Sequence, residues 1–328
     1  MQTFCRITNM KRIIAVFTIF CLLISVTACG TVNDSSDDTK VSDGIQITDD
    51  VQITDALGNK TTVSKNAKVV SLYGSFSECW LLSGGKLVGV TEDAITEHEL
   101  DVGDAKTVGT VKHINLESVV ALNPDYVILS ADLTAHLSLQ DSLDSMGLAY
   151  GYFKVDTFAD YKALMAQFCS INGRDDLFEQ NVTAVESKIT EIMQKIPVTD
   201  KSVLLIRAFS TGMKAKRDDT VAGMILSEFG LYNIADSDNS LLEDLSLEEI
   251  VKANPDYIFV TTMGDEQDAY TYLENNLLNH PAFTELGAVK GANYHVLPKK
   301  LFHYKPNNRW SKSYEHLAKL VFPEIFGE

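Results

Sequence analysis

Residues 114–129 (Ile-Asn-Leu-Glu-Ser-Val-Val-Ala-Leu-Asn-Pro-Asp-Tyr-Val-Ile-Leu) and 245–260 (Leu-Ser-Leu-Glu-Glu-Ile-Val-Lys-Ala-Asn-Pro-Asp-Tyr-Ile-Phe-Val) align without a gap, 131 positions apart. Each copy reads as a capped helix, an Asn-Pro-Asp turn and a buried strand. The proline has no N–H to donate and disfavours helical geometry in the residue before it, so the helix must stop there. One such unit is common among α/β chains, but two on either side of a long helical segment predict two lobes of related topology. That segment is residues 175–196, where Phe178, Val182, Val185, Ile189, Ile192, Met193 and Ile196 recur at spacings of mostly three and four. Gly173 sets it off from the preceding helix and Pro197 ends it.

Around the repeat, short apolar runs at 69–72, 87–90, 126–129 and 203–206 alternate with helical stretches, the rhythm of a parallel sheet. Residues 51–54 and 61–63 flank a Gly-containing loop and read as a β-hairpin. The expected fold class is α/β, with two Rossmann-like lobes built on parallel-rich sheets, joined by one long backbone helix and enclosing a ligand cleft. The expected divisions are an N-terminal lobe over 48–173, a connecting helix over 174–197 and a C-terminal lobe over 198–328. A chain of 328 residues with 45% apolar composition supports two such cores.

The first 28 residues carry Arg6, Lys11 and Arg12, no acid, and an apolar run from position 13 to 28, the layout of a secretory signal. The run ends at Val26-Thr-Ala-Cys29-Gly30, which resembles a bacterial lipobox. On that reading residues 1–28 are removed, Cys29 carries the lipid, and the polar stretch 29–47 is a flexible tether. The protein is then extracytoplasmic and held on the outer face of the cell membrane. Without the signal, 25 Lys and Arg face 45 Asp and Glu, a net charge of -20. Counterion-release binding to nucleic acid needs a basic stripe, so that class is excluded. Cys79 and Cys169 are the two cysteines left, and they read as buried thiols.

Open α/β sheets bind ligands outside the carboxyl ends of their strands. The rule nominates Tyr73, Gly74, Ser75 and Phe76 with Trp80 behind them, Ser130 and Asp132, then Arg207, Phe209, Ser210, Thr262 and Met263. Two further stretches break the helix and strand rhythm: 207–217, with Arg207, Lys214, Lys216 and Arg217, and 302–310, with Tyr304, Lys305, Arg309 and Trp310. Cations make charge-assisted bonds to carboxylates and catecholates, and rings stack on flat ligands. The seven histidines are scattered, with no short paired spacing, so no metal site is assigned; His113 and His303 are the two of interest. Gly-x-Ser-x-Gly, Gly-x-Gly-x-x-Gly and His-Glu-x-x-His are all missing, and no enzyme is expected.

Taken in order, Asp55-Ala-Leu-Gly58, Val69-Val-Ser-Leu72, Ser77-Glu78, Leu87-Val-Gly-Val90, both Asn-Pro-Asp-Tyr copies and the single long helix resemble the helical-backbone class of ABC-transporter solute-binding proteins. That class serves ferric siderophores, haem and cobalamin. The resemblance implies a monomer without a cofactor that captures a ferric siderophore or similar chelate and delivers it to an ABC permease dimer with its ATPase. Haem or cobalamin is the alternative ligand, a bare metal ion a lesser one, and an anchored enzyme or sensor lipoprotein the rival class. It also implies a docking acid on each lobe. Glu78 stands where the first is found, and Glu228 stands one position after the second, which Ser227 occupies. From the residues alone, Ser75-x-x-Glu78 also fits a capping box.

Overall fold

The computed structural model describes residues 50–236 and 246–327. The signal, Cys29 and the tether over 29–47 lie outside them. Strand β1 (Asp50–Thr54) pairs antiparallel with β2 (Lys60–Ser64). Asp55 closes this hairpin: its carboxylate accepts the amides of Leu57 and Asn59 and also that of Tyr152, which pins the hairpin to the first lobe. The first lobe then builds a fully parallel sheet from β3 (Val69–Ser71), β4 (Leu87–Val90), β5 (Lys106–Thr107), β6 (Tyr126–Ser130) and β7 (Tyr150–Phe153), in the order β5-β4-β3-β6-β7.

The second lobe holds β8 (Ser202–Phe209), β9 (Gly212–Lys216), β10 (Tyr232–Asn233), β11 (Tyr257–Met263) and β12 (Tyr294–Val296). Strands β10, β8, β11 and β12 are parallel neighbours, while β9 folds back antiparallel on β8. The stretch 207–217, read from sequence as a loop, is therefore mostly a hairpin. Its alternation of cations with Ala208, Met213 and Ala215 is a strand pattern in which one face meets the core.

The two repeat copies fold alike down to single hydrogen bonds. Asn115 and Ser246 each cap their helix by accepting an amide three residues on. Asn123 and Asn254 sit at φ +46° and +42°, the left-handed region that asparagine tolerates. Asp125 accepts the amide of Lys68 at 2.7 Å and Asp256 that of Ser202 at 2.8 Å, each at the start of the strand that neighbours its own. The Asn-Pro-Asp turn thus ends a helix and fixes where the adjacent strand begins.

Between the lobes the chain is continuously helical from 175 to 193, in three pieces: Asp175–Phe178, a π-helical turn Glu179–Thr183, and Ala184–Met193. The wide turn departs from the regular helix implied by the periodicity, and its cause is Asn181. A π turn displaces a carbonyl from its usual partner; the Tyr161 hydroxyl donates to the carbonyl of Asn181 at 3.1 Å, and the Asn181 amide donates to the carbonyl of Leu82 at 3.0 Å. The last long helix, Trp310–Val321, packs along this rod. One apolar cluster consequently runs through both lobes, from Trp80, Phe153 and Phe168 past Trp310 to Phe229 and Phe322. Both remaining cysteines are free and buried within it.

Candidate functional site

The carboxyl ends of both sheets open onto a cavity of about 970 Å³. Thr96 and Glu97 line it from the first lobe; Gly264, Asp265, Glu266, residues 296–300 and Tyr304 line it from the second. Those second-lobe residues lie at or after the ends of β11 and β12, and Thr96 and Glu97 lie at the end of the short helix Asp93–Thr96 that follows β4. The rule that nominated the ends of β3, β6, β8 and β11 reaches them when it is applied to β4 and β12 as well.

Outside the cavity lining, Arg207 and Lys214 stand directly opposite one another on β8 and β9, hence on one face of the sheet. Arg207 is partly buried, and burial lowers its pKa while Asp219 pulls it back up. Its Nε has no hydrogen-bond partner, and Lys214 makes no ion pair or hydrogen bond among the described residues. His303 is close enough to feel both Arg207 and the first-lobe residues Glu97 and His98. Burial first, then the charges of Arg207 and Lys299, drive its pKa down to about 4 against the pull of Glu97, so it is neutral at pH 7. The Tyr304 ring packs 5.0 Å from His303 and 4.8 Å from His98, and its hydroxyl donates to Glu97 at 2.7 Å. Tyr73, just after β3, packs edge-on against Phe76; burial raises its phenol to about 12, so it is a neutral donor.

Several residues nominated from sequence belong elsewhere. Phe76 and Trp80 are core: both are almost wholly buried, and the Trp80 indole donates to the carbonyl of Lys86. Ser75 and Ser130 are buried, bonded to His98 and to the amide of Asp132. Trp310 packs edge-on against Phe158, away from solvent. Lys216 is tied to Asp219 at 2.5 Å, and Arg217 donates twice to the carbonyl of Ala235. Lys305 bridges Asp132 and Asp156 of the first lobe. Tyr73, Arg207, Lys214, Met263 and Tyr304 remain as candidates for ligand contact, and Met263 is exposed at the end of β11.

Glu78 departs furthest from expectation. The helix Gly74–Leu82 starts at Gly74, whose amide is bound by Asp93 at 2.7 Å, so no Ser75 capping box forms. Gly74 is required there, because a Cβ would lie 2.6 Å from the His98 ring. Glu78 faces inward instead. Arg309 forks onto its two oxygens at 2.5 and 2.8 Å, and Asn307 donates at 2.7 Å. An acid that docks on a partner must reach solvent, and this side chain is only 11% exposed. Glu228 is exposed and accepts a hydrogen bond from Tyr314. Among the described residues no cluster of three or more His, Cys, Asp or Glu could hold a metal ion.

Residues 69–301 match the family model described as periplasmic binding protein. A Bacillus subtilis protein provisionally named an ABC transporter substrate-binding lipoprotein, YhfQ, is 30% identical over 88% of this chain and 91% of its own length. The Fe(3+)-citrate-binding protein YfmC of the same organism is 24% identical over 98% of this chain and 99% of its own. The crystal structure of the petrobactin-binding protein YclQ, also from that organism, superposes with a TM-score of 0.63 at 22% identity, covering 85% of this chain and 99% of that one.

Proposed function

The chain belongs to the periplasmic binding protein family, and on that premise we propose that it captures an anionic ferric chelate between its lobes and hands it to an ABC permease. Binding without chemical turnover is what its relatives do, and the named ligands of two of them, ferric citrate and petrobactin, support an iron chelate. The observation that carries the ligand class is the pair Arg207 and Lys214. A guanidinium that is partly desolvated and lacks a partner on Nε sits beside a lysine with no partner among the described residues, and an anion supplies what both lack. Tyr73 and Tyr304 add neutral phenol donors and ring faces for a flat chelate. The lipobox reading adds that Cys29 carries the anchor, which fits relatives named as lipoproteins.

A titration of the purified protein with ferric citrate and with a ferric catecholate, followed by intrinsic fluorescence, tests this reading, with iron-free citrate as the control. Arg207→Ala together with Lys214→Ala is expected to weaken binding by roughly 2–5 kcal/mol, while Lys216→Ala changes little because that amine is already bound by Asp219. Equal affinity in wild type and the double variant would remove the anionic chelate from consideration.

A further inference from the structure

Glu78 is the meeting point of three separately placed pieces of chain. The first is its own helix, Gly74–Leu82, with Tyr73 just before it and Ser75 buried in its first turn. The second is the loop after β4: His98, with its side chain 4% exposed, sets Nδ1 3.9 Å from Glu78 and Nε2 3.3 Å from the Ser75 hydroxyl, and its ring packs on Tyr304. The third is the segment 303–309, which leaves the second lobe after the helix Lys299–Phe302 and crosses to the first. Asn307 donates both to Glu78 and to the carbonyl of Ser75 at 2.9 Å, and its own Oδ1 accepts from the Cys79 thiol at 3.3 Å. It does so with φ at +54°, backbone strain that the hydrogen bonds must hold in place. At the far end of the strap, Lys300 is paired with Glu99.

The geometry points to Glu78 as a positioning residue for ligand capture: its bond to Arg309 and Asn307 bolts the lobes together and sets Tyr304 in the cleft, in place of an outward role on the permease. A buried fork between a carboxylate and a guanidinium has narrow geometric tolerance, which suits it to fixing a register between lobes. Removing the carboxylate frees the strap at Asn307, three residues from Tyr304, and leaves a charged, partly buried Arg309 with neither Nη bonded, its Nε already lacking a partner. This inference rests on the cleft taking a ferric chelate.

The experiment compares Glu78→Ala, Glu78→Gln and Arg309→Lys in two readouts, the dissociation constant for ferric citrate by fluorescence quenching and uptake of iron-55 ferric citrate by cells at low and saturating ligand. Glu78→Ala and Arg309→Lys are expected to weaken binding about tenfold or more in the purified protein, with uptake recovering as ligand is raised. Glu78→Gln keeps the acceptor for Asn307 and is expected to fall between them and wild type. Affinities are read well below each variant's melting temperature, with a native circular-dichroism spectrum required, so that loss of fold is not mistaken for loss of alignment. Wild-type affinity in all three variants, with uptake lost even at saturation, would overturn the inference and return Glu78 to docking. Failure of wild type itself to bind any ferric chelate would instead sink the functional reading above.

Discussion

Glu78 holds a full charge in a nearly dry place, and the competition that sets its ionisation can be read from its neighbours. Burial alone would raise its pKa; the hydrogen bonds from Arg309, the nearby His98 ring, the charge of Arg309 and the amide of Asn307 outweigh it and bring the value to about 2. A carboxylate whose folded pKa lies below its unfolded value of 4.5 contributes stability that is fully present above that value and is lost as the pH falls through the folded one. The contribution is roughly 3 kcal/mol at neutral pH. Thermal or urea unfolding of wild type and Glu78→Gln between pH 6 and pH 2 should therefore show two stabilities that converge as acid is added, most steeply from about pH 4.5 downward. A gap that stays constant across that range would mean the carboxylate is not held as the geometry describes. None of this was legible in the sequence. Ser75-x-x-Glu78 satisfied a local capping pattern, and the partner that defeats it, Arg309, lies 231 residues away.

At the scale of elements, the Asn-Pro-Asp repeat shows why the architecture was readable. Each of its residues has one local job: the asparagine turns the chain at positive φ, the proline forbids further helix, and the aspartate anchors the next strand. Among the described residues Asn123 makes no side-chain hydrogen bond in doing so, whereas Asn254 also accepts the amide of Gly287 at 3.0 Å. Asn123→Gly should accordingly leave stability within about 0.5 kcal/mol of wild type, and Asn123→Val should cost about 1–2 kcal/mol. Asn254→Gly should lose about 1 kcal/mol more than Asn123→Gly, for the missing bond. Urea denaturation measures all three, and a tolerated valine at 123 would refute the left-handed assignment. The π turn at 179–183 was not legible, because spacings of three and four describe a face and not a hydrogen-bond pattern. It depends on Tyr161 and Leu82, which only the tertiary structure brings to Asn181.

For the whole molecule, two sheets of related design meet a rod that carries one lobe on each end, but the rod is not the sole connection. The C-terminal helix lies along it, the apolar core passes through both lobes, and the strap 299–309 crosses back to the first lobe through Glu99, Glu97, Asp132, Asp156 and Glu78. Sequence periodicity forecast the rod and the cleft, because both follow from where strands end and helices continue. It misjudged 302–310, whose cations and rings look like ligand contacts until the other lobe is beside them. Of that stretch Tyr304 lines the cavity, with His303 close behind it, while Arg309 and Trp310 hold the lobes in place. The most direct test of the account is the position of the iron. Crystals of the protein grown with ferric citrate and measured at the iron absorption edge should give one strong anomalous peak in the cavity lined by Glu97, Lys299 and Tyr304. Saturated protein whose peak lies outside that cleft, or shows no iron at all, would contradict it.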